Sequence, residues 1–213
     1  MTILSPAHAP SVFTTNETAL INCALNLIEE KRLKQAPVPY YMQDFERYLR
    51  LRFAGLTNEQ GHTLYLNGNR ELLSAEVEFF GDQKSVSWDI RKTVARAIQL
   101  GAEYVVVAHN HPCNNPQPSD ADLRHMGWLE QVLAPLKLTL LDSFVVTATR
   151  VTSIKTVRTQ NEERRQREQS ERLNKEREER SARYRATRAA NQAKKAAAQA
   201  EGTESSPSRL MTV

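Results

Sequence analysis

His109 and His111 stand one residue apart in "VVVAHNHPCNNPQPSDADL", residues 105–123, and Ser119 and Asp122 follow after a Pro/Asn-rich gap. Two neutral imidazoles and a carboxylate are the donor set that suits Zn²⁺ with a fourth position left open for water. Whether these groups can meet depends on the elements that carry them. The run "EYVVVAH" reads as a buried strand by its β-branched residues. Side chains two apart on a strand point to one face, so both imidazoles project into a common space. Helical entry after Pro118 puts Ser119 at the cap and Asp122 in the first turn. Ser119-x-x-Asp122 is equally a capping box ahead of an apolar helix. The pair alone therefore leaves both readings open, and it is the conjunction with the buried strand and two in-phase histidines that points to a metal site.

The surrounding sequence supplies a scaffold for that arrangement. After a loose arm over residues 1–14, "TTNETALINCALNLIEEKRLKQ" reads as an amphipathic helix capped by Thr15 or Asn16, with Leu20, Ala24, Leu27 and Ile28 on its inward face. "MQDFERYLRLRFAGL" spaces Phe45, Tyr48, Leu49 and Phe53 for a second helix. The period then changes to alternation on both sides of Asn67-Gly68, a hairpin signal. "DIRKTVARAIQLG" predicts a short helix with Val94, Ala97 and Ile98 inward and Gly101 as C-cap. The strand ending at the histidines comes next. Then follow the helix in "SDADLRHMGWLEQVLAPL", stopped near Pro135, and one or two closing strands in "LTLLDSFVVTATRVTSI". Hairpin, helix, strand, helix, strands describe an α/β domain with a mixed sheet flanked by helices, over about residues 41–157. Residues 1–40 form an N-terminal arm and helix.

From Thr159 the composition shifts. Residues 1–154 carry 14 Lys/Arg against 16 Asp/Glu, or −2, and residues 155–213 carry 15 against 9, or +6. The net charge of +4 therefore belongs to the tail. Glu163/Arg167, Glu168/Arg172, Glu171/Lys175 and Glu176/Arg180 are spaced four apart for helix-stabilising pairs. No apolar heptad runs through them, so a solvated single helix over residues 158–200 is expected, with a disordered tail over 201–213. Cys23 and Cys113 lie far apart in sequence with no CxxC partner, which argues against a disulfide framework and against a cysteine-ligated zinc. The N-terminus lacks a secretory pattern and no stretch approaches the ~18 apolar residues of a membrane span. A cytoplasmic chain with no membrane partner is the expectation.

The spacing His109-x-His111, seven residues, Ser119-x-x-Asp122 resembles the JAMM signature of JAB/MPN-type zinc metalloproteases. The flanking blocks "RYLRLRFAGLTNEQGHTLYLN", "AEVEFFG", "VARAIQLGAEYVVVAHNHP", "PSDADL" and "LLDSFVV" are similar, in order, to the bacterial RadC-like subfamily over about residues 43–150. The resemblance implies a JAB/MPN (cytidine-deaminase-like) fold, Zn²⁺ held by His109, His111 and Asp122, and an upstream catalytic glutamate. The position of that glutamate falls on Glu76, five residues before Gly81, with Glu78 on the same sheet face as its rival. In that scheme Glu76 is the general base, Ser119 donates to the developing oxyanion, and the reaction is hydrolysis of a peptide or isopeptide bond in a protein or peptide substrate.

The chain departs from the subfamily pattern in four ways: Cys113-Asn114 replaces Ser-Gly in the loop, Ser143 replaces a histidine after Asp142, "IRK" replaces "PRE" with Arg91 matched, and residues 1–40 show no helix-hairpin-helix. Asp142 is open to a role near the site or to a backbone role in its strand. His125, one turn beyond Asp122, reads as a surface or supporting residue, while His8 and His62 have no evident partners. Two other functions compete with the hydrolase. One is a noncatalytic MPN scaffold, which generally loses ligand residues. The other is a DNA-associated protein, supported locally only by the basic tail, where glutamates alternate with the cations and no stacking aromatics accompany them.

Overall fold

The computed structural model describes residues 11–80 and 88–203. His8, Gly81 and the stretch 204–213 lie outside the described residues. The chain opens with helix α1 (Thr15–Ile28), whose last turn widens into a π-helical segment (Glu29–Leu33). The cap is Thr14 rather than Thr15 or Asn16, in a reciprocal box with Glu17. The inward face is also rotated from the expected one. Leu25 is buried and Ile21 and Ile28 pack on the core, whereas Leu20 and Leu27 are exposed. Helix period alone cannot tell which of two overlapping apolar stripes meets the body.

Helix α2 (Met42–Arg52) buries Phe45, Tyr48 and Leu49, and Phe53 just beyond it, as its spacing requires. Strands β1 (Gln60–Leu66) and β2 (Leu72–Phe80) form the expected antiparallel hairpin. Its connection is longer than a two-residue turn. Asn67 Oδ1 accepts from the N–H groups of Asn69 and Glu71, and Arg70 takes the left-handed conformation. Gly68 serves a close approach instead, since a Cβ there would sit 2.5 Å from the Glu103 carboxylate.

Helix α3 (Ile90–Leu100) ends on Gly101 at φ 65°, and buries Thr93 and Ala97 while Ile98 faces solvent, against expectation. Strand β3 (Tyr104–Asn110), helix α4 (Asp120–Leu133), strands β4 (Thr139–Val146) and β5 (Val151–Ser153) and helix α5 (Ile154–Thr203) complete the chain.

The sheet order is β2-β1-β3-β4-β5, with only β3 and β4 parallel. That mixed sheet lies between two helical layers. Leu64, Leu66, Val106, Ala108, Phe144 and Val146 meet α1 and α2 on one face. Tyr65, Val105, Val107 and Val145 meet α3 and α4 on the other. The parity of β3 therefore sends His109, two beyond Val107, to the α3/α4 side.

The chain divides into two units at Thr159–Gln160. In the first, the root of α5 is fixed by buried Ile154, by a two-pronged Arg158–Glu130 pair at 2.7 and 2.9 Å, and by Asp142. In the second, the described side chains of α5 from Glu162 onward are exposed. Glu163 meets Arg167 as expected, but Glu168 turns to Arg164 and Glu176 to Arg172. Exposed pairs of this kind are each worth well under about 1 kcal/mol, so the switch of partners is nearly free. Among the described residues no helix is long and apolar enough to cross a membrane.

Candidate metal centre

β3 ends in His109-Asn110 with His111 just beyond it, and the middle residue of the three turns away from its neighbours. Asn110 is buried, its Oδ1 accepts from the Gln60 N–H at 2.7 Å and its Nδ2 donates to the Asn58 carbonyl at 3.0 Å. This strap fixes the strand end to the start of β1 and leaves both histidines on the opposite side. The backbone of His111 continues the parallel pairing by donating to Val146 O.

The loop then turns at residues 111–114, closed by the Asn114 N–H on the His111 carbonyl. Asn114 holds φ 59° there. Asparagine is among the few side chains that accept this left-handed region, so the loop makes its turn without the glycine of the subfamily pattern. Cys113 is exposed. The Asn115 carbonyl lies 2.9 Å from His111 Nδ1. A carbonyl only accepts, so Nδ1 carries the hydrogen and Nε2 of the neutral ring presents its lone pair.

Pro118 leads into α4, where Ser119 is the N-cap. Its N–H and its hydroxyl both donate to Asp122 Oδ2 at 2.7 Å, and the Asp122 N–H returns a bond to Ser119 Oγ at 3.2 Å. The capping box is therefore real, and it also aims Asp122. Oδ1 is left facing His109 Nε2 at 3.3 Å, while His111 Nε2 lies 3.7 Å from Oδ2. The two Nε2 atoms are 3.2 Å apart.

Burial raises the proton affinity of the Asp122 carboxyl, but the hydrogen bond and charge of His109 and the bonds from Ser119 outweigh it. The group is held well below the usual carboxylate range, ionised as a ligand must be. The three side chains are 12%, 11% and 19% exposed, which leaves one open side.

These separations can be compared with a real site. Zinc–nitrogen and zinc–oxygen bonds of ~2.0–2.1 Å at tetrahedral angles require ligand atoms about 3.3 Å apart. The 3.2 Å between the two Nε2 atoms and the 3.3 Å from His109 to Oδ1 match that value, while the 3.7 Å approach of His111 is to the other carboxylate oxygen, Oδ2. His109, His111 and Asp122 thus form a group able to hold a metal ion.

Glu76 stands elsewhere on the same face. It opposes Thr63 of β1, which opposes Val107 of β3. Its Oε1 accepts from Arg96 Nε at 2.6 Å and from Ser74 Oγ at 2.9 Å. Glu78 occupies the bulge between the pairs Val77/His62 and Phe79/Gly61 and accepts from the Tyr65 hydroxyl at 2.7 Å. The structure thus brings His109, His111, Ser119 and Asp122 together, and engages both glutamates with other partners.

Asp142 has a backbone role. It accepts from the N–H groups of Ser143 and Lys155 and from Ser153 Oγ, and so caps the first turn of α5. His125 packs between Trp88 and Trp128, with ring centroids 5.5 and 5.7 Å away. Burial and the charge of His109 lower its pKa. His62 has partners after all. It is buried against Phe53, accepts from Arg52 Nε at Nδ1 (2.7 Å) and meets Gln60 Oε1 at Nε2 (2.7 Å). The same Arg52 also donates to Glu29, Tyr48 and the Ala75 carbonyl. No local spacing signals that network, because its members come from four elements: the π-helical segment, α2, β1 and β2.

A mixed sheet with two in-phase histidines at the end of its central strand, faced by a carboxylate on the next helix, is the arrangement of a JAB/MPN domain. The sequence profile of the RadC-like JAB domain matches residues 40–160, more than half of the chain. The chain belongs to that family. It is similar to the UPF0758 protein YeeS of Escherichia coli K12, 32% identical over 141 residues that make up 66% of this chain and 95% of that one. It is also similar to a UPF0758 protein of a Polaromonas species, 34% identical over 71% of this chain and 65% of the relative. A third relative, from Stenotrophomonas maltophilia, is 37% identical over 50% of this chain and 46% of its own length. The chain thus spans about half the length of some curated relatives and nearly all of others.

Proposed function

We propose that this protein is a zinc-dependent hydrolase of a peptide or isopeptide bond. The observation that carries the reading is that His109 Nε2 stands 3.2 Å from His111 Nε2 and 3.3 Å from Asp122 Oδ1, separations suited to ligands of one tetrahedral ion. A zinc ion held by these residues supplies Lewis-acid chemistry and makes water acidic enough to react near neutral pH. The chain's own residues supply the rest. Glu76, fixed at Oε1 by Arg96 and Ser74, offers Oε2 as the acceptor for the proton of the attacking water and returns that proton to the leaving amine. Ser119 keeps Asp122 aimed through its N–H and turns its hydroxyl hydrogen toward the oxyanion that develops on the scissile carbonyl.

A second reading draws on one specific contact. The Arg96–Glu76 pair occupies the proposed base, as in a domain that holds metal and binds a partner without turnover. Nucleic-acid binding rests only on the basic excess of α5, whose cations alternate with glutamates.

Metal content by mass spectrometry tests the centre. About one zinc per chain, lost in a His109→Ala/His111→Ala variant, supports the site. No zinc after loading and desalting sinks it. Turnover of a peptide panel by the zinc-loaded wild type separates the two readings, since a noncatalytic domain shows none. Glu76→Gln should then keep its metal and lose that turnover, whereas turnover retained would move the base to another residue.

A further inference from the structure

His111 has a second environment. The residue also lines a cavity of about 260 Å³, together with Phe53, Leu56, Val146, Pro112 and Arg50. The cavity thus shares His111 with the candidate metal centre.

Its chemistry is one-sided. Among the described residues no carboxylate lines it. The polar walls are largely committed, because the Asn110 amide is held by Gln60 and Asn58 and the Thr147 hydroxyl donates to the Arg150 carbonyl. Arg50 is the group left to act. Of the α2 arginines, Arg47 pairs with Asp44 and Arg52 with Glu29, while exposed Arg50 has no carboxylate among the described residues. Its place in the last turn of α2 complements the helix dipole without engaging its donor fork. The volume falls just under the ~300–1,000 Å³ of sites that take drug-sized ligands, which suits a single residue rather than a folded partner.

We infer that this cavity is a subsite for a small apolar residue bearing a free carboxylate. Arg50 receives the carboxylate in a charge-assisted pair, and Phe53, Leu56 and Val146 receive the side chain. The inference rests on the hydrolase reading only in placing that residue at the C-terminal end of a substrate.

The test is NMR titration of the isotopically labelled full chain with N-acetylleucine and with its uncharged amide, in metal-free and zinc-loaded protein, for wild type and Arg50→Gln. Arg50 is exposed, so the variant's undisturbed spectrum serves as the fold control. The expected result is saturable shifts at residues 110–114 and 146–148 in metal-free protein, with affinity about tenfold weaker for the amide and for Arg50→Gln. The cavity assignment is overturned by an absence of saturable shifts, by equal binding of acid and amide, or by indifference to Arg50→Gln. Binding that appears only after zinc loading and ignores Arg50 places the carboxylate on the metal, which overturns the cavity and leaves the hydrolase reading standing. Arg50-dependent binding in a protein that takes up no zinc supports the cavity and removes the hydrolase reading.

Discussion

Ser119 and Asp122 bind one another three times, with two bonds running to a single carboxylate oxygen and one returning to the hydroxyl. All the bonds from Ser119 fall on Oδ2, so the other oxygen is free to face His109. Helix capping and ligand aiming are here the same set of contacts. Ser119→Ala should therefore cost about 1 kcal/mol of stability and weaken zinc binding by roughly 10–100-fold. Ser119→Thr should preserve both. Urea unfolding and zinc competition against a chelating dye measure the two effects, and loss of one without the other would show that they are separable.

Zinc should stabilise the fold, because the three ligands come from a strand and a helix that lie apart in sequence. At zinc concentrations near 100 times Kd the gain is about 2.7 kcal/mol. Differential scanning calorimetry with zinc and with a chelator should register this as a rise in Tm of several degrees, absent in His109→Ala.

Below neutral pH the buried His62 should become a liability. Burial and the adjacent Arg52 hold its pKa well below the ordinary value, so the folded state keeps the ring neutral. The sign follows from linkage. A base with a depressed folded pKa contributes stability that is present above its unfolded pKa of about 6.5 and is lost as pH falls toward the folded value. Each pH unit below about 6.5 should remove about 1.4 kcal/mol until the folded pKa is reached. Urea midpoints in steps from pH 7.5 to pH 5 should show that slope in wild type and a flatter one in His62→Gln, if His62 is its source.

At the root of α5, Asp142 accepts two backbone N–H groups and Ile154 is fully buried. Asp142→Ala should cost about 1–3 kcal/mol by leaving those donors unpaired. Ile154→Ala should cost about 2–5 kcal/mol by opening a cavity against α4. Values near zero for both in chemical denaturation would mean that this helix root frays in solution.

Much of the site could be read from sequence because its signals are local. The β-branched run marks β3, the two-residue step sets the phase of His109 and His111, and a Ser three residues before an Asp announces the α4 cap. Gly101 ends α3 where expected. The failures have a different character. Leu20 and Leu27 follow helical spacing as well as Ile21 and Leu25 do, and only the tertiary partner decides between the two stripes. Arg52 joins Glu29, Tyr48, His62 and Ala75 across separations that no periodicity encodes. His125 needs Trp88, 37 positions earlier, to make its aromatic sandwich. Asp142 looked equally suited to site or scaffold until Lys155 and Ser153 claimed it.

The turn at residues 111–114, the Asn115 carbonyl on the His111 ring and the Ser119 cap together fold the seven-residue gap upon itself at both ends. Such a loop behaves as a ruler. Added residues could not simply bulge into solvent, because each end is already hydrogen-bonded to a ligand or to its cap, and the surplus would have to be absorbed by displacing one or the other. The count between His111 and Ser119 is therefore as much a structural constant as the identities of the ligands, and a loop that tolerates many changes of letter should tolerate almost none of length.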